Sequence, residues 1–193
     1  MADVSARTKV VAKTAAAAFG GRPTVTRFWD DDHHDNIDIL SCEDGPEEGV
    51  TAYSTVGLSD WPLYYGDEEY HTRLEMVGAC GSNFQGYDNA LASAAFNVIS
   101  SGWFCCPGAI YPDVLALYAS STTMKHFLFV PPFPWEEELQ TLHLDDRTIA
   151  WLLALPISDE ERTVAESNGS EALENLFEER QIDIFDLERP SVV

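Results

Sequence analysis

Hydrophobic positions recur at helical spacing near both ends of the chain, and shorter runs of β-type pattern lie between them. Residues 3–19 have a mild apolar face of valines and alanines followed by Gly20-Gly21, so we predict an N-terminal helical unit over residues 1–21. Helical spacing returns over 86–101, before Gly102. The remaining runs predict strands over 36–42, 50–58, 70–80 and 126–130.

The pattern in the last third of the chain predicts a hairpin. Residues 139–144 and 148–157 are two strand-like runs on either side of Asp145-Asp146-Arg147. The second run is apolar at odd and even positions alike. That pattern is typical of a central strand that is covered on both faces.

A pair of helices is predicted over residues 158–182. Ser158 and Glu161 have the spacing of a capping box, and Gly169 is expected to end the first helix. We expect Ser170 to cap the second helix. Three apolar residues of that helix are predicted to face the core: Leu173, Leu176 and Phe177.

Together these elements predict an α+β fold, with a mixed or mostly antiparallel sheet flanked by helices in a single domain over 1–193. Two stretches receive no regular element. In residues 22–32, Phe28 and Trp29 precede an acidic run. Residues 103–123 mix aromatic residues with prolines and are expected to be irregular but packed.

The charge of the chain restricts its partners. The 193 residues include 33 acidic and 11 basic side chains, a formal net charge of −22. Such a surface repels phosphate backbones and anionic lipids, so we expect neither nucleic-acid nor membrane binding. A basic protein would be attracted to it and steered in quickly. The alternative interpretation is that the acidity serves solubility alone.

The cysteine pattern and the absence of targeting signals favour the cytoplasm. The four cysteines show no C-x-x-C spacing, and no histidines stand at zinc-finger spacing, so a zinc site is not expected. Free thiols suit a reducing compartment. The first 21 residues lack the apolar core of a signal peptide, and no apolar run approaches the length of a membrane span.

A metal site is conceivable in the acidic run. Asp30-Asp31-Asp32-His33-His34-Asp35, with Asp38 beyond it, contains carboxylates and imidazoles, which are ligands for divalent ions. Consecutive residues point in divergent directions, whereas metal sites gather ligands from separate elements. We therefore interpret the run as a solvated turn and expect no metal and no other cofactor.

Two hypotheses of nucleophilic catalysis can be formed, but no sequence motif supports either of them. A hydrolase could combine Ser59-Asp60 with His71, but no G-x-S-x-G elbow is present. Cys105 or Cys106 could act with His126, yet aromatic neighbours suggest a buried, inert thiol. We therefore expect no catalytic residue.

Aromatic residues beside acidic runs form the candidate partner-binding sites, because interfaces combine buried aromatic anchors with a charged rim. The same composition also fits an ordinary core edge. The first site comprises Trp61, Tyr64, Tyr65, Asp67, Glu68 and Glu69. The second comprises Trp135, Glu136, Glu137 and Glu138, after Phe133-Pro134.

Several sequence blocks occur in an order that resembles the bacterial branch of the suppressor of fused (SUFU-like) domain family. They are Asn36-Ile37-Asp38-Ile39, Ser54-Thr55-Val56-Gly57-Leu58-Ser59-Asp60, Arg73-Leu74-Glu75-Met76, Phe129-Val130-Pro131-Pro132, Leu155-Pro156-Ile157-Ser158-Asp159-Glu160-Glu161, Gly169-Ser170-Glu171-Ala172-Leu173 and Asp186-Leu187-Glu188-Arg189. The resemblance extends over about residues 3–191. It departs at residues 107–112, where many relatives have a Gly-His-Thr-like segment, so no role is transferred to that position.

The resemblance implies an α+β domain that binds proteins and has no catalytic activity. Bacterial members resemble immunity proteins of polymorphic-toxin systems, and the animal member retains a transcription factor in the cytoplasm. We therefore expect a cytoplasmic immunity protein that neutralises a toxin module, which the acidity suggests is basic and of nuclease type. The alternatives are a regulatory module that sequesters another protein, and a metal-dependent enzyme that uses the residue 30–38 cluster.

Overall fold

The computed structural model describes residues 5–118 and 121–193. Its α-helices are α1 (Ala6–Phe19), α2 (Tyr87–Ser101), α3 (Asp159–Asn168) and α4 (Ser170–Arg180). Its strands are β1 (Arg22–Trp29), β2 (Asn36–Glu43), β3 (Val50–Val56), β4 (Tyr64–Tyr65), β5 (Glu68–Glu69), β6 (Thr72–Gly81), β7 (Ile110–Tyr111), β8 (His126–Val130), β9 (Leu142–His143) and β10 (Thr148–Ile157).

The main sheet is mixed, as the sequence predicts. Its order is β1-β2-β3-β6-β10-β8-β7, with β9 paired to β10. Neighbouring strands run antiparallel except β6 and β10, which are parallel, with Thr148 opposite Thr72. Strands β4 and β5 form a separate small hairpin. The α+β fold class is therefore confirmed, and β10 occupies the central position expected from its continuous apolar run.

Each face of the sheet has its own core. Helix α2 covers one face, where it packs on alternate residues of β10 such as Leu152 and Ala154. Helices α1, α3 and α4 cover the other, which includes Leu153 and Leu155. Since successive strand residues point to opposite faces, an apolar residue is needed at nearly every position of β10.

Helix α2 lies close against the sheet because a glycine leaves room for it. The hydroxyl of the buried Tyr87 donates a 2.6 Å hydrogen bond to the carbonyl oxygen of Ala154. A Cβ at Gly78 would stand only 2.1 Å from that hydroxyl oxygen. The glycine in β6 thus permits the contact that positions the start of α2.

The C-terminal helices begin with a capping box and are fastened by a buried ion pair. Ser158 accepts from the backbone N–H of Glu161, whose carboxylate accepts from the N–H of Ser158. Arg189 donates to both oxygens of the same carboxylate at 2.6 and 2.8 Å, and its guanidinium lies 5.1 Å from the ring centre of Phe177. Glu161 therefore joins α3 and α4 to the segment that follows them.

Most predicted elements are confirmed with small shifts of their ends, including α1 within the described residues, α2, β2, β3, β6, β8, β10 and the helical pair. Four expectations are wrong. Residues 103–123, which receive no regular element, contain β7 and a 3-10 turn over Ala116–Tyr118. Residues 22–29, which received no element, form strand β1, and β9 is only two residues long, in place of the strand expected over 139–144. Ser170 is the first residue of α4, and Gly169, which makes no side-chain cap, precedes it.

Candidate protein-binding site

The first of the two predicted partner-binding clusters lies on the β4–β5 hairpin and its flanks. We call this the hairpin surface: Trp61, Tyr64, Tyr65, Asp67, Glu68, Glu69 and Tyr70. Tyr65 is 71% exposed, far more than a tyrosine that serves the core. The acidic residues of the turn and of β5 are exposed as well. The hairpin thus presents large aromatic rings to solvent beside unburied carboxylates.

A cleft of about 470 Å³ opens between the hairpin and the start of β6 and β10. It is lined mainly by apolar and aromatic side chains: Leu63, Tyr65, Tyr70, Thr72, Arg73, Leu74, Phe104, Cys105, Cys106, Pro107, Pro131, Ala150, Trp151 and Leu152. Within it, Tyr65 and Tyr70 make edge-on contacts with Phe104, at ring-centre distances of 5.2 and 5.4 Å. We call this the hairpin cleft. A partner side chain could insert there between rings that are already in place.

A backbone hydrogen bond and an ion pair close the hairpin. The backbone N–H of Tyr70 donates to the carbonyl of Leu63 at 2.7 Å. The ion pair joins Arg73 in β6 to Glu69 in β5, with Nη2 and Oε1 2.5 Å apart. The Nη1 atom of Arg73 is buried and has no hydrogen-bond partner among the described residues.

A network of charged residues holds the segment that leads into the hairpin. Asp60 pairs with Arg7 of α1 at 2.9 Å and with Arg147 of the β9–β10 turn at 3.3 Å. Arg147 also donates to the carbonyl oxygen of Ser59 at 2.7 Å. Both arginines contact Asp146. Desolvation raises the pKa of this carboxyl, but the positive charges of Arg147 and Arg7 together outweigh it and lower the pKa below its ordinary value. These contacts connect the hairpin base to two other parts of the fold.

Beneath this network lies Glu75, whose side chain is fully buried. Its carboxylate accepts hydrogen bonds from the side chains of Thr55 and Ser59 and from the backbone N–H groups of Gly57, Leu58 and Ser59, at 2.6 to 3.3 Å. No cation of residues 5–118 or 121–193 forms an ion pair with it. Burial raises the pKa of Glu75 to about 7, because the donors only partly compensate for lost hydration.

The second predicted cluster is arranged differently. Trp135 is only 2% exposed and packs against Phe19 of α1, with ring centres 4.7 Å apart. It therefore serves the core and is not an accessible anchor, which corrects that part of the expectation. Glu136, Glu137 and Glu138 are exposed but do not line the hairpin cleft. The structure does not bring the two clusters into one site, and a partner-binding role for either stays a prediction.

The nucleophile hypotheses find no geometric support in the described residues. Ser59 is 1% exposed, and its hydroxyl donates to Glu75, not to a histidine. His71 instead lies beside the ring of Tyr70. Burial raises the pKa of the Cys105 thiol well above its ordinary value, which disfavours the reactive thiolate. His126 is held by Asp113 and Asp159, so it is not the base of a Cys–His pair.

The acidic run over 30–35 forms the turn between β1 and β2. One oxygen of Asp30 accepts from the backbone N–H groups of His34 and Asp35, and Asp38 pairs with Arg27 at 2.7 Å. These local roles support the interpretation as a solvated turn.

A different group has the spacing to hold a metal ion. Asp113, His126 and Asp159 place one ligand atom each within 4.8 Å of one another. The Nδ1 of His126 accepts from the backbone N–H of Asp113 at 2.8 Å, and its Nε2 lies 2.9 Å from Asp159. Asp159 also pairs with Lys125, so protein groups already engage both His126 and Asp159.

Comparison with known proteins shows which family the chain belongs to. The family model described as "Suppressor of fused protein (SUFU)" matches residues 33–190. The chain is also 48% identical over 190 residues to "Immunity protein YqcF" of Bacillus subtilis (strain 168), and this alignment covers 98% of the chain and 99% of that relative. The chain belongs to the suppressor of fused family.

Solved structures of the SUFU family share the fold. A putative SUFU homologue from Neisseria gonorrhoeae FA 1090 superposes with a TM-score of 0.70 at 18% identity, with 97% of each chain covered. A chain from the Sufu-Fu complex superposes with a TM-score of 0.65 at 16% identity, covering 96% of this chain and 92% of that one. At these identities the likeness establishes the architecture alone.

None of the helices formed by the described residues combines the length and the apolar character that a bilayer crossing requires.

The sequence indicates the exposed residues of this candidate site but not the residues that support them. Nothing local in the sequence shows that Phe104 makes edge-on contacts with both Tyr65 and Tyr70. Glu75 was noted only as part of a strand. One local signal for Glu75 is present: it is a lone carboxylate between the apolar residues Leu74 and Met76 of the predicted strand.

Proposed function

We propose that this chain is an immunity protein, a non-enzymatic protein of the cytoplasm that binds a toxin module and neutralises it. The observation that carries the proposal is its 48% identity, over nearly the full length of both chains, to a relative named immunity protein. The four cysteines are free, which supports a reducing compartment. The relation to a chain in the Sufu-Fu complex supports a protein as the partner.

The charge supports a basic toxin. Most basic side chains already pair with carboxylates of the same chain: Arg7, Arg22, Arg27, Arg73, Lys125, Arg147, Arg162 and Arg189. The formal charge of −22 therefore leaves many carboxylates without a cation. A toxin that cleaves nucleic acid needs a basic surface for phosphates, and an acidic partner would both cover that surface and associate quickly.

We infer that the hairpin surface is the contact region. It combines exposed aromatic rings, a preformed apolar cleft and a carboxylate rim, which are the components of a protein interface. Asp67 and Glu68 make no ion pair with any residue that the structure describes. The second acidic cluster offers charge without an accessible aromatic anchor, because Trp135 is buried.

Co-purification from the source organism, followed by mass spectrometry, tests the proposal. We expect a stoichiometric partner that is toxic when produced alone and harmless when produced with this chain. A partner that is a transcription regulator without toxicity would instead favour the sequestering role. Recovery of the chain alone, together with failure to protect cells against any toxin encoded beside its gene, would contradict the immunity function.

A further inference from the structure

Glu75 occupies an unusual position relative to the hairpin surface. The chain leaves the main sheet after β3, passes Gly57 to Ser59, forms the hairpin and returns to the sheet as β6. Glu75 stands in β6 just after that return, and its donors lie in the segment just before the excursion begins. One side chain therefore bridges the departing and the returning chain.

The bridge consists of buried hydrogen bonds. Oε1 accepts from Gly57 N at 3.0 Å, from Ser59 N at 3.1 Å and from Ser59 Oγ at 2.7 Å. Oε2 accepts from Thr55 Oγ1 at 2.6 Å and from Leu58 N at 3.3 Å. Without an acceptor at this point, three backbone N–H groups and a buried hydroxyl would be left unpaired away from water, which is strongly unfavourable.

The groups held by Glu75 continue directly into the hairpin. Backbone N–H groups of Asp60 and Trp61 donate to the carbonyls of Gly57 and Leu58, which forms a short 3-10 turn. Trp61 is the first residue of the hairpin surface. A shift of the Gly57–Ser59 segment would therefore move the base of the hairpin with it.

We propose that Glu75 is the positioning residue of the hairpin surface, which it fixes by joining the two ends of the segment that carries it. Glu75 itself is fully buried and therefore has no surface that a partner could contact. Its effect on partner binding rests on the proposed function, whereas its hold on the hairpin rests on the hydrogen bonds alone.

Residue-resolved hydrogen exchange of the free protein tests the positioning role. The informative amides are those of Trp61 and Tyr70, because both are hydrogen-bonded within the hairpin segment and neither is bonded to Glu75. In Glu75→Leu, which removes the acceptor, we expect these amides to exchange at least about tenfold faster than in the wild type. Glu75→Gln keeps one acceptor oxygen for the Gly57–Ser59 side and should restore much of the protection.

Glu161→Gln is the matched control. Glu161 is also a fully buried glutamate, but it joins the C-terminal helices to Arg189. This variant should lower protection near α3 and leave Trp61 and Tyr70 as they are, when both are compared with the amides of β8. Unchanged exchange of Trp61 and Tyr70 in Glu75→Leu would overturn the proposal. So would an equal acceleration of every amide, β8 included, since that would show a contribution to global stability only.

Binding to the co-purified partner separates this inference from the proposed function. If Glu75→Leu loosens the hairpin and weakens binding while Glu75→Gln recovers both, Glu75 positions the binding surface. If the hairpin loosens but the dissociation constant is unchanged, Glu75 still positions the hairpin and the binding site lies elsewhere. An unchanged dissociation constant would overturn the assignment of the hairpin surface as the contact region, and with it the role of Glu75 in partner binding.

Discussion

Two fully buried glutamates organise opposite regions of this protein, and they are satisfied by different chemistry. Glu161 faces the guanidinium of Arg189, which donates to both of its oxygens. Glu75 faces neutral hydroxyl and backbone donors and no cation among the described residues. Glu161 fastens the C-terminal helices, whereas Glu75 lies under the candidate binding surface. The C-terminal helices are therefore fastened by an ion pair. The base of the hairpin is held by neutral hydrogen-bond donors, and the pKa of Glu75 there is about 7.

The largest effect is expected from breaking the charged pair. Arg189→Ala leaves Glu161 buried without its cation and should lower the free energy of unfolding by about 3–5 kcal/mol. Arg180→Ala, at the exposed end of α4, is the matched control and should change stability by no more than about 0.5 kcal/mol. Urea denaturation measures both. Equal and small effects would show that the Glu161–Arg189 pair does not fasten the C-terminal region.

The second prediction concerns pH and separates the two glutamates. The pKa of Glu75 is raised from 4.5 to about 7 in the folded state. The folded state therefore holds the proton more tightly than the unfolded chain, and the stability that this confers is fully present below pH 4.5 and is lost as pH rises through 7. The loss amounts to roughly 3 kcal/mol. Between pH 4.5 and 8, denaturation should show that the wild type loses more stability than Glu75→Gln, by roughly this amount. If the stabilities of the two proteins changed with pH in parallel, the raised pKa of Glu75 would be contradicted.

The third prediction compares one hydroxyl from each region. Ser59→Ala removes a donor to the Glu75 carboxylate, and Ser158→Ala removes the acceptor that caps α3. A hydrogen bond to a charged acceptor contributes about 1.5–3 kcal/mol, and a cap typically about 1 kcal/mol. At pH 8, where Glu75 is mostly ionised, Ser59→Ala should therefore be the more destabilising. The opposite order would mean that the donors around Glu75 are not tightly engaged.

The two regions also differ in how well the sequence predicts them. At the C-terminal end, the S-x-x-E spacing of Ser158 and Glu161 is a local signal, and the capping box forms as expected. The pairing of Glu161 with Arg189 is not local and was not foreseen. The hairpin residues Tyr65 and Asp67 were selected from composition alone, whereas the cleft that Phe104 completes depends on tertiary packing.

Two of the differences between expectation and structure have related causes. No hydrophobic alternation marks β1, because it is an edge strand whose residues are exposed except for the partly buried Phe28. Trp135 was expected at an interface because acidic residues follow it. A 3-10 turn over Phe133–Trp135 directs the indole toward Phe19, a contact between residues far apart in sequence.

The fourth and smallest effect on stability is expected at the rim of the hairpin. Replacing Asp67 and Glu68 by Asn and Gln should change the free energy of unfolding by no more than about 0.5 kcal/mol, because both side chains are exposed and unpaired within the described chain. Thermal denaturation measures this. A loss of several kcal/mol would show that the rim is structural, and its use as a binding probe would be invalid.

Association and dissociation kinetics with the co-purified partner, measured by surface plasmon resonance across a salt series, test the central claim most directly. The account predicts that neutralising Asp67 and Glu68 slows association and weakens its salt dependence, since rim charges act mainly on the on-rate. Tyr65→Ala should speed dissociation by about tenfold or more, as loss of an aromatic anchor does. The triple neutralisation of Glu136, Glu137 and Glu138 is the control and should have a smaller effect. Wild-type kinetics for both hairpin variants, with slowed association for the control alone, would contradict the assignment of the hairpin surface.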